Sequence, residues 1–366
     1  MSASPTPSEP SSLLWDIVRY VLVAAVAGVL IWYSFFYTPV TYSSQKHEGT
    51  AMGTHYQVRV DRFPDNADWE QLTAAIQDRL ESLEQMMSIH RRDSEISRFN
   101  ASSDTDTWFS VSPEVALVVQ TALEISQLSE GAFDITVAPL VSHWGFGTES
   151  RFPRQNRTFE DLRASALYLK ERIGYSKLSV QLNPPALKKA IPELTIDLSG
   201  IAKGFAVDSI AELLEERRIT DYLIEIGGEV RVKGKKGVDR DSDWIVGIDN
   251  PTKDFTGFHQ TFPLTDQSLA TSGNHVQTIT ISDIRVSHLI DPRTGLPVPM
   301  GNGTRELTSV AVLAPNCTLA DAWATAMFVL GEQKGIELAH RHEIAVLFLL
   351  RNGDDIIEVS SRYWRK

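Results

Sequence analysis

Between Leu194 and Ser209 the chain reads L-T-I-D-L-S-G-I-A-K-G-F-A-V-D-S, and its hydrophobic period changes halfway along. Leu194, Ile196 and Leu198 alternate with Thr195 and Asp197, the pattern of a strand with one buried face. Ser199-Gly200 breaks the alternation. From Ile201 the spacing is helical, with Phe205, Ile210 and Leu213 offering an apolar face that runs towards Arg217. A segment that turns from extended to helical at one point sets a carboxylate, Asp197, beside the unpaired N–H groups of a helix start. That suits a phosphate-bearing ligand. It equally describes an ordinary strand–turn–helix with Asp197 as a cap. Gly200 and Gly204 would let a neighbour approach the backbone closely.

A second stretch bears on where the chain resides. Residues 1–13 are rich in Ser and Pro, and no charge falls between Arg19 and Lys46. The run Tyr20–Pro39 has the ~20 apolar residues that span a bilayer, and Trp32, Tyr33 and Tyr37 suit an interfacial belt. No cleavage site of small residues follows, so the run reads as an uncleaved signal anchor. The expected layout is a short cytoplasmic tail (1–19), a transmembrane anchor (20–39), a linker (40–48) and a soluble domain (49–366). Flanking charges do not set the orientation. The formal net charge of −12 argues against a general nucleic-acid partner. Cys317 is the single cysteine, which excludes an intrachain disulfide and any CxxC site.

Within the soluble part the spacing predicts a strand over Thr50–Val60 and a helix over Asp68–Met87, with Leu72, Ile76, Leu80, Leu83 and Met87 inward. Ser88–Asn100 reads as a loop with a helical turn, and Ser112 caps a helix to about Leu128. Gly131–Gly147 reads as a short strand among tight turns. Strands are predicted at Leu178–Leu182, Trp244–Asp249, Gln277–Ile281, Ser309–Leu313 and Ile344–Leu350. Asp221–Val232 reads as a hairpin turning at Gly227-Gly228. Thr318–Leu330 reads as a helix capped by Thr318. Hairpins without a regular βαβ rhythm indicate an α+β fold of antiparallel and mixed sheets with packed helices.

Most catalytic signatures are missing. There is no GxSxG, HExxH, P-loop or complete Rossmann fingerprint, and Ser199 and Lys203 stand one residue too far apart for S-x-x-K. What remains is a set of carboxylates and hydroxyls near glycine-rich turns: Asp134, Asp197, Asp291, Asp321 and Thr325. Asp321 and Thr325 lie four residues apart, on one helical face. Such hard oxygen donors suit Mg²⁺. The same pair also fits a threonine bonded back to its own helix and a solvated aspartate.

Taken together, several segments resemble one family. They are M-G-T (Met52–Thr54), D-S-E-I-S-R-F-N (Asp93–Asn100), G-A-F-D-I-T-V (Gly131–Val137), W-G-F-G (Trp144–Gly147), I-D-L-S-G-I-A-K-G (Ile196–Gly204), I-G-G-E (Ile226–Glu229), T-S-G-N (Thr271–Asn274), H-L-I-D-P-R-T-G (His288–Gly295) and A-D-A-W-A-T-A (Ala320–Ala326). In this order they resemble the FAD:protein FMN transferases of the ApbE family. The resemblance covers nearly the whole soluble part. It implies that 49–366 is a Mg²⁺-dependent catalytic domain that splits FAD, links FMN through a phosphoester to a Ser or Thr of an acceptor protein, and releases AMP. An FAD pyrophosphatase and a non-catalytic, membrane-anchored flavin-binding protein are the competing readings.

Carried over by position, the resemblance puts Met52, His90, Ala132, Phe133, Asp134, Asp197, Lys203 and Ile290 at the flavin nucleotide. It puts Gly200 (by its carbonyl), Asp321 and Thr325 at the metal, with His288 as catalytic base towards the acceptor hydroxyl. Three positions depart from the family's usual residues. His90 replaces an aromatic, Gly200 stands where Ala or Ser is frequent, and His275-Val276 follows T-S-G-N where Tyr-Arg is frequent. With the anchor, the resemblance implies a single-pass protein of the bacterial inner membrane with a periplasmic catalytic domain. Its acceptor would then be a flavin-carrying subunit of an electron-transport complex of the Nqr/Rnf type.

Overall fold

The structure is a computed structural model that describes residues 12–36, 40–146, 158–251, 257–274, 278–300, 305–353 and 355–364. Tyr37–Pro39 of the apolar run, Gly147 and His275 lie outside them. The chain divides into two compact units, residues 1–42 with 64–67, and residues 43–63 with 68–366. The first unit contains helix α1 (Ser12–Phe36). Its segment Trp15–Trp32 is exposed, and it is long and apolar enough to cross a membrane. A membrane anchor and a signal sequence share those properties.

The second unit is built on an eight-stranded sheet. In chain order it begins with β1 (Tyr42–Ala51), β2 (Thr54–Pro64), α2 (Trp69–Met87), α3 (Glu95–Ala101), β3 (Phe109–Ser110) and α4 (Pro113–Leu128). Most of the stretch expected as a linker thus belongs to β1. α2 buries the five apolar residues its spacing marked, behind an Asp68 cap that accepts from the Gln71 N–H. α5 (Ala138–His143), α6 (Phe159–Leu169), β4 (Leu178–Leu182), β5 (Pro185–Lys189) and α7 (Ala202–Glu216) follow. Next come β6 (Tyr222–Ile226), β7 (Glu229–Lys233), β8 (Trp244–Asp249), β9 (Phe258–Leu264) and β10 (Gln267–Gly273). The chain closes with β11 (Thr278–Ile281), β12 (Ile284–Asp291), β13 (Leu296–Pro299), β14 (Glu306–Ala314), α8 (Cys317–Arg341), β15 (Ala345–Asn352) and β16 (Asp355–Ser360).

The sheet order is β1-β2-β6-β7-β10-β14-β15-β16. Its residues alternate between two cores, as a pleated strand requires. Ala270, Val310, Val312, Val346 and Phe348 face the helices, while Leu269, Ala311, Leu313, Leu347 and Leu349 face the β8–β9 ribbon and Trp364. The α+β expectation holds. A third, smaller core joins α5 and α6 to β12 through Leu140, Trp144, Leu162 and Ile290.

Three local expectations are corrected. Leu194, Ile196 and Leu198 are buried in alternation with Thr195 and Asp197, yet they form no strand ladder. The Asn100 side chain takes the partner strand's place, accepting from the Ile196 N–H and donating to its carbonyl, both at 2.8 Å. The Asp197 N–H donates to the Ile135 carbonyl at 2.7 Å. The strand expected after Gly131 is a 3₁₀ turn, Ile135–Val137, leading into α5. Asp134 nucleates it by accepting from the Thr136 N–H and hydroxyl. α8 is capped by Asn316 rather than Thr318, and Gly331 (φ 74°) interrupts it.

Candidate active site

The site forms where α7 crosses the first turns of α8. The crossing is tight because Gly204 has no side chain: a Cβ there would stand 2.3 Å from the Cys317 carbonyl oxygen and 2.8 Å from Asp321 Cβ. Asp208, one turn further along α7, fastens the start of α8. Its carboxylate accepts from the Cys317 N–H (2.9 Å), the Thr318 N–H (2.8 Å) and the Thr318 hydroxyl (2.6 Å). These bonds satisfy N–H groups that a helix start leaves unpaired. They also fix which α8 residues face the start of α7.

Those residues are Asp321 and Thr325. Asp321 Oδ2 accepts from the Gly204 N–H at 2.9 Å. That N–H therefore bonds to α8 instead of to the Gly200 carbonyl one turn back. Thr325 Oγ1 lies 3.3 Å from Ser272 Oγ of β10. It also lies 3.3 Å from where a Gly200 Cβ would stand, and Phe133 Cε2 lies 3.2 Å from the same point. Gly200, Asp321, Thr325 and Phe133, widely separated in sequence, are thus brought together.

Lys203 and Glu229 supply the electrostatics. Lys203 Nζ donates to Glu229 Oε1 at 2.7 Å and lies 3.8 Å from Asp321 Oδ1. Glu229 is 2 % exposed, and its second oxygen, Oε2, has no hydrogen-bond partner. Burial pushes the Glu229 pKa up to about 8; Asp321 pushes the same way and Lys203 opposes. Burial also raises Asp321, against Lys203 and the Gly204 N–H. For Lys203 burial disfavours the charge, but the two carboxylates outweigh it and raise its pKa. The pair begins a seam of ion pairs between α7 and β7. Arg231–Asp208 (2.6 Å) and Lys233–Glu215 (2.8 Å) continue it.

The remaining residues expected at the flavin nucleotide take varied places. Ala132 and Phe133 are buried. Asp134 uses both carboxylate oxygens on the chain itself, Oδ1 towards Thr136 and Oδ2 on the Tyr175 N–H at 2.9 Å. Its pKa is raised by burial. Asp197 Oδ1 accepts from the Ser199 N–H at 2.9 Å, the turn that delivers Gly200. Met52 turns at φ 52° between β1 and β2, its N–H bonded to Glu84. His90 is exposed, its N–H on Ser88 Oγ at 3.1 Å. Ile290 is buried on β12. His288, also on β12, is half-buried, with the Phe146 ring edge-on at 6.2 Å. β12 packs against α8.

Glu229, Ser272 and Asp208 were not marked as site residues from sequence. Glu229 carried a readable signal: it follows the Gly-Gly turn at a position whose hairpin partner is the apolar Ile226.

Among the described residues no three His, Cys, Asp or Glu gather as a metal cage. The oxygens near the crossing are the Asp321 carboxylate and the Thr325 and Ser272 hydroxyls, with a buried Glu229 carboxylate oxygen without a partner across Lys203. Hard oxygens with few carboxylates suit Mg²⁺, which keeps positions for water and phosphate. When Glu229 and Asp321 are both ionised against the one ammonium, the surplus of one negative charge favours a cation there.

The site joins oxygen donors of α8 and β10 to a buried ion pair of α7 and β7 within a mixed fold of sheets and helices. Residues 52–348 match the ApbE family. The chain is 38% identical over 314 residues to the FAD:protein FMN transferase of Vibrio cholerae, covering 86% of this chain and 89% of that protein. It is 36% identical to that of Haemophilus influenzae, over 87% of this chain and 90% of that one. The solved flavin transferase ApbE of Vibrio cholerae superposes with a TM-score of 0.76 at 35% identity, covering 88% of this chain and 98% of its own. The Pseudomonas stutzeri flavinyl transferase ApbE, in its apo form, gives 0.77 at 30% identity, covering 90% and 98%. The chain belongs to the ApbE family, and it is a transferase enzyme.

Proposed function

We propose that this enzyme splits FAD and transfers FMN to a Ser or Thr hydroxyl of a partner protein, releasing AMP. The observation that carries the reading is the convergence of Gly200, Asp321 and Thr325 beside Lys203 at the α7–α8 crossing. Asp321, Thr325 and the Gly200 carbonyl would hold Mg²⁺. A cation held there would neutralise charge on the pyrophosphate and so ease attack at its phosphorus. Lys203 orients the phosphates by its ammonium, and Phe133 packs against the flavin nucleotide. His288 accepts the proton of the acceptor hydroxyl. The hydroxyl oxygen forms a bond to the FMN phosphorus as the bond from that phosphorus to the bridging oxygen breaks, and AMP leaves with the bridging oxygen. The catalytic domain is 49–366. α1 anchors it in the bacterial inner membrane with the domain on the periplasmic side, where a flavin-carrying electron-transport subunit serves as acceptor.

The test is to incubate the full chain, in detergent, with FAD, Mg²⁺ and a candidate acceptor domain, and to weigh the acceptor. A gain of one FMN is expected. AMP formation with no flavin on any acceptor would replace the transferase by a pyrophosphatase.

A further inference from the structure

The β6–β7 hairpin sets Glu229 directly opposite Ile226. On that face of the sheet Tyr222, Ile224 and Ile226 are fully buried beneath the helices. An apolar residue would fill the position at no cost in desolvation. The chain instead buries a carboxylate there, with one oxygen on Lys203 at 2.7 Å and the other without a partner. A residue that breaks its local rule inside a core is expected to serve a function. The turn that delivers it is equally particular. Gly227 and Gly228 adopt φ of 61° and 98°, and the Gly228 N–H is held by Glu225 Oε1 at 2.6 Å.

The Lys203 ammonium stands between two carboxylates, close to Glu229 and 3.8 Å from Asp321 Oδ1. An ammonium and a divalent cation compete for the same carboxylate oxygen. If Lys203 closed on Asp321, it would occupy the oxygen that the cation needs. Asp321 Oδ2 is already held by the Gly204 N–H, which leaves Oδ1 as the contested atom.

We propose that Glu229 is a positioning residue that holds the Lys203 ammonium away from Asp321, so that Asp321 Oδ1 stays open to a divalent cation. This rests on the reading of Asp321 as a cation ligand given above. Above about pH 8, with Glu229 and Asp321 ionised and Lys203 charged, the cluster carries a formal −1. Binding a divalent ion makes it +1, the sign that faces a pyrophosphate favourably.

The experiment is Mn²⁺ binding at about pH 8.5 under argon, where Glu229 is ionised, to the full chain in detergent without flavin, read by the loss of free-Mn²⁺ EPR signal, with folding checked by circular dichroism. Glu229→Gln keeps the size and one acceptor but loses the charge that retains Lys203. It is expected to weaken Mn²⁺ binding by about tenfold, within the usual range for residues coupled through a shared partner. Lys203→Gln removes the competitor and is expected to bind Mn²⁺ at least as tightly as the wild type. The double variant should return to within about threefold of wild type. A scaffolding role for Glu229 predicts a loss that Lys203→Gln does not reverse, and that result overturns the proposal, as does unchanged binding in Glu229→Gln. Should Glu229→Gln not fold, Lys203→Gln alone decides: weaker binding overturns the proposal and equal or tighter binding supports it. Asp321→Ala separates the two readings. If it binds Mn²⁺ like the wild type, the cation reading and this inference fall together. If it does not bind but Glu229→Gln binds normally, only this inference falls.

Discussion

Two ion pairs on the α7–β7 seam use the same chemistry to opposite ends. At Arg231–Asp208 the carboxylate accepts from the guanidinium, two α8 N–H groups and the Thr318 hydroxyl. At Lys203–Glu229 one buried oxygen has no partner, and a second carboxylate stands across the ammonium. A fully bonded buried pair locks elements together, whereas a partly bonded one is costly and marks a place where something else is accommodated. The first pair fixes the register of α7 and α8. The second lies where that register delivers Asp321.

The largest expected effect tests the locked pair. Asp208→Ala leaves Arg231 without this carboxylate and strips the α8 start of acceptors, so it should cost about 3 kcal/mol in urea unfolding. Glu229→Gln retains an acceptor for Lys203 and, near neutral pH where the folded Glu229 holds its proton, exchanges one neutral side chain for another, so its change there should stay within about 1 kcal/mol. If Asp208→Ala unfolds at the wild-type urea concentration, the contrast between the pairs is lost.

A second comparison uses pH. The folded-state pKa of Glu229, about 8, lies above its ordinary 4.5. Between those values the folded protein holds a proton that the unfolded chain has released. Its contribution to stability is therefore fully present below the lower value and declines as pH rises through the window. One proton bounds the slope at about 1.4 kcal/mol per pH unit. Urea midpoints from pH 5 to pH 8 should show that decline in the wild type and a flatter profile in Glu229→Gln. A variant that keeps the wild-type slope would assign the titration elsewhere.

What was legible in the sequence was what local periodicity controls. The inward residues of α2, the Gly227-Gly228 hairpin and the shared face of Asp321 and Thr325 follow from spacing alone. The failures were long-range. Leu194–Leu198 has strand alternation, but a side chain from Asn100 replaced the ladder, and no local pattern encodes that substitution. Thr318 has the chemistry of a cap, yet Asn316 took the position and Asp208 of another helix absorbed the Thr318 hydroxyl. Glu229 stood inside a recognisable motif, but its burial depends on the register of β6 against β7. The site residues that resemblance named are partly gathered by the fold, around Gly200, while His90 and His288 stand on other elements.

The smallest effect is the most local. Gly200 is the one member of the oxygen set without a side chain, and a Cβ there would meet Phe133 Cε2 at 3.2 Å and Thr325 Oγ1 at 3.3 Å. Both are tighter than ordinary carbon contacts, so one neighbour must yield by a few tenths of an ångström. Alanine also restricts the unfolded chain, which stabilises by about 0.4–1 kcal/mol where the backbone allows it. Crowding opposes that gain, so Gly200→Ala should leave the urea midpoint nearly unchanged. If Thr325 is the neighbour that moves, Mn²⁺ binding should weaken by roughly two- to fivefold, as displacing one oxygen donor of a shared set would do. If Phe133 moves instead, binding of Mn²⁺ without flavin stays as in the wild type and the apparent KM for FAD rises. The two outcomes say which neighbour of Gly200 is rigid, and so whether the glycine spares Thr325 or Phe133.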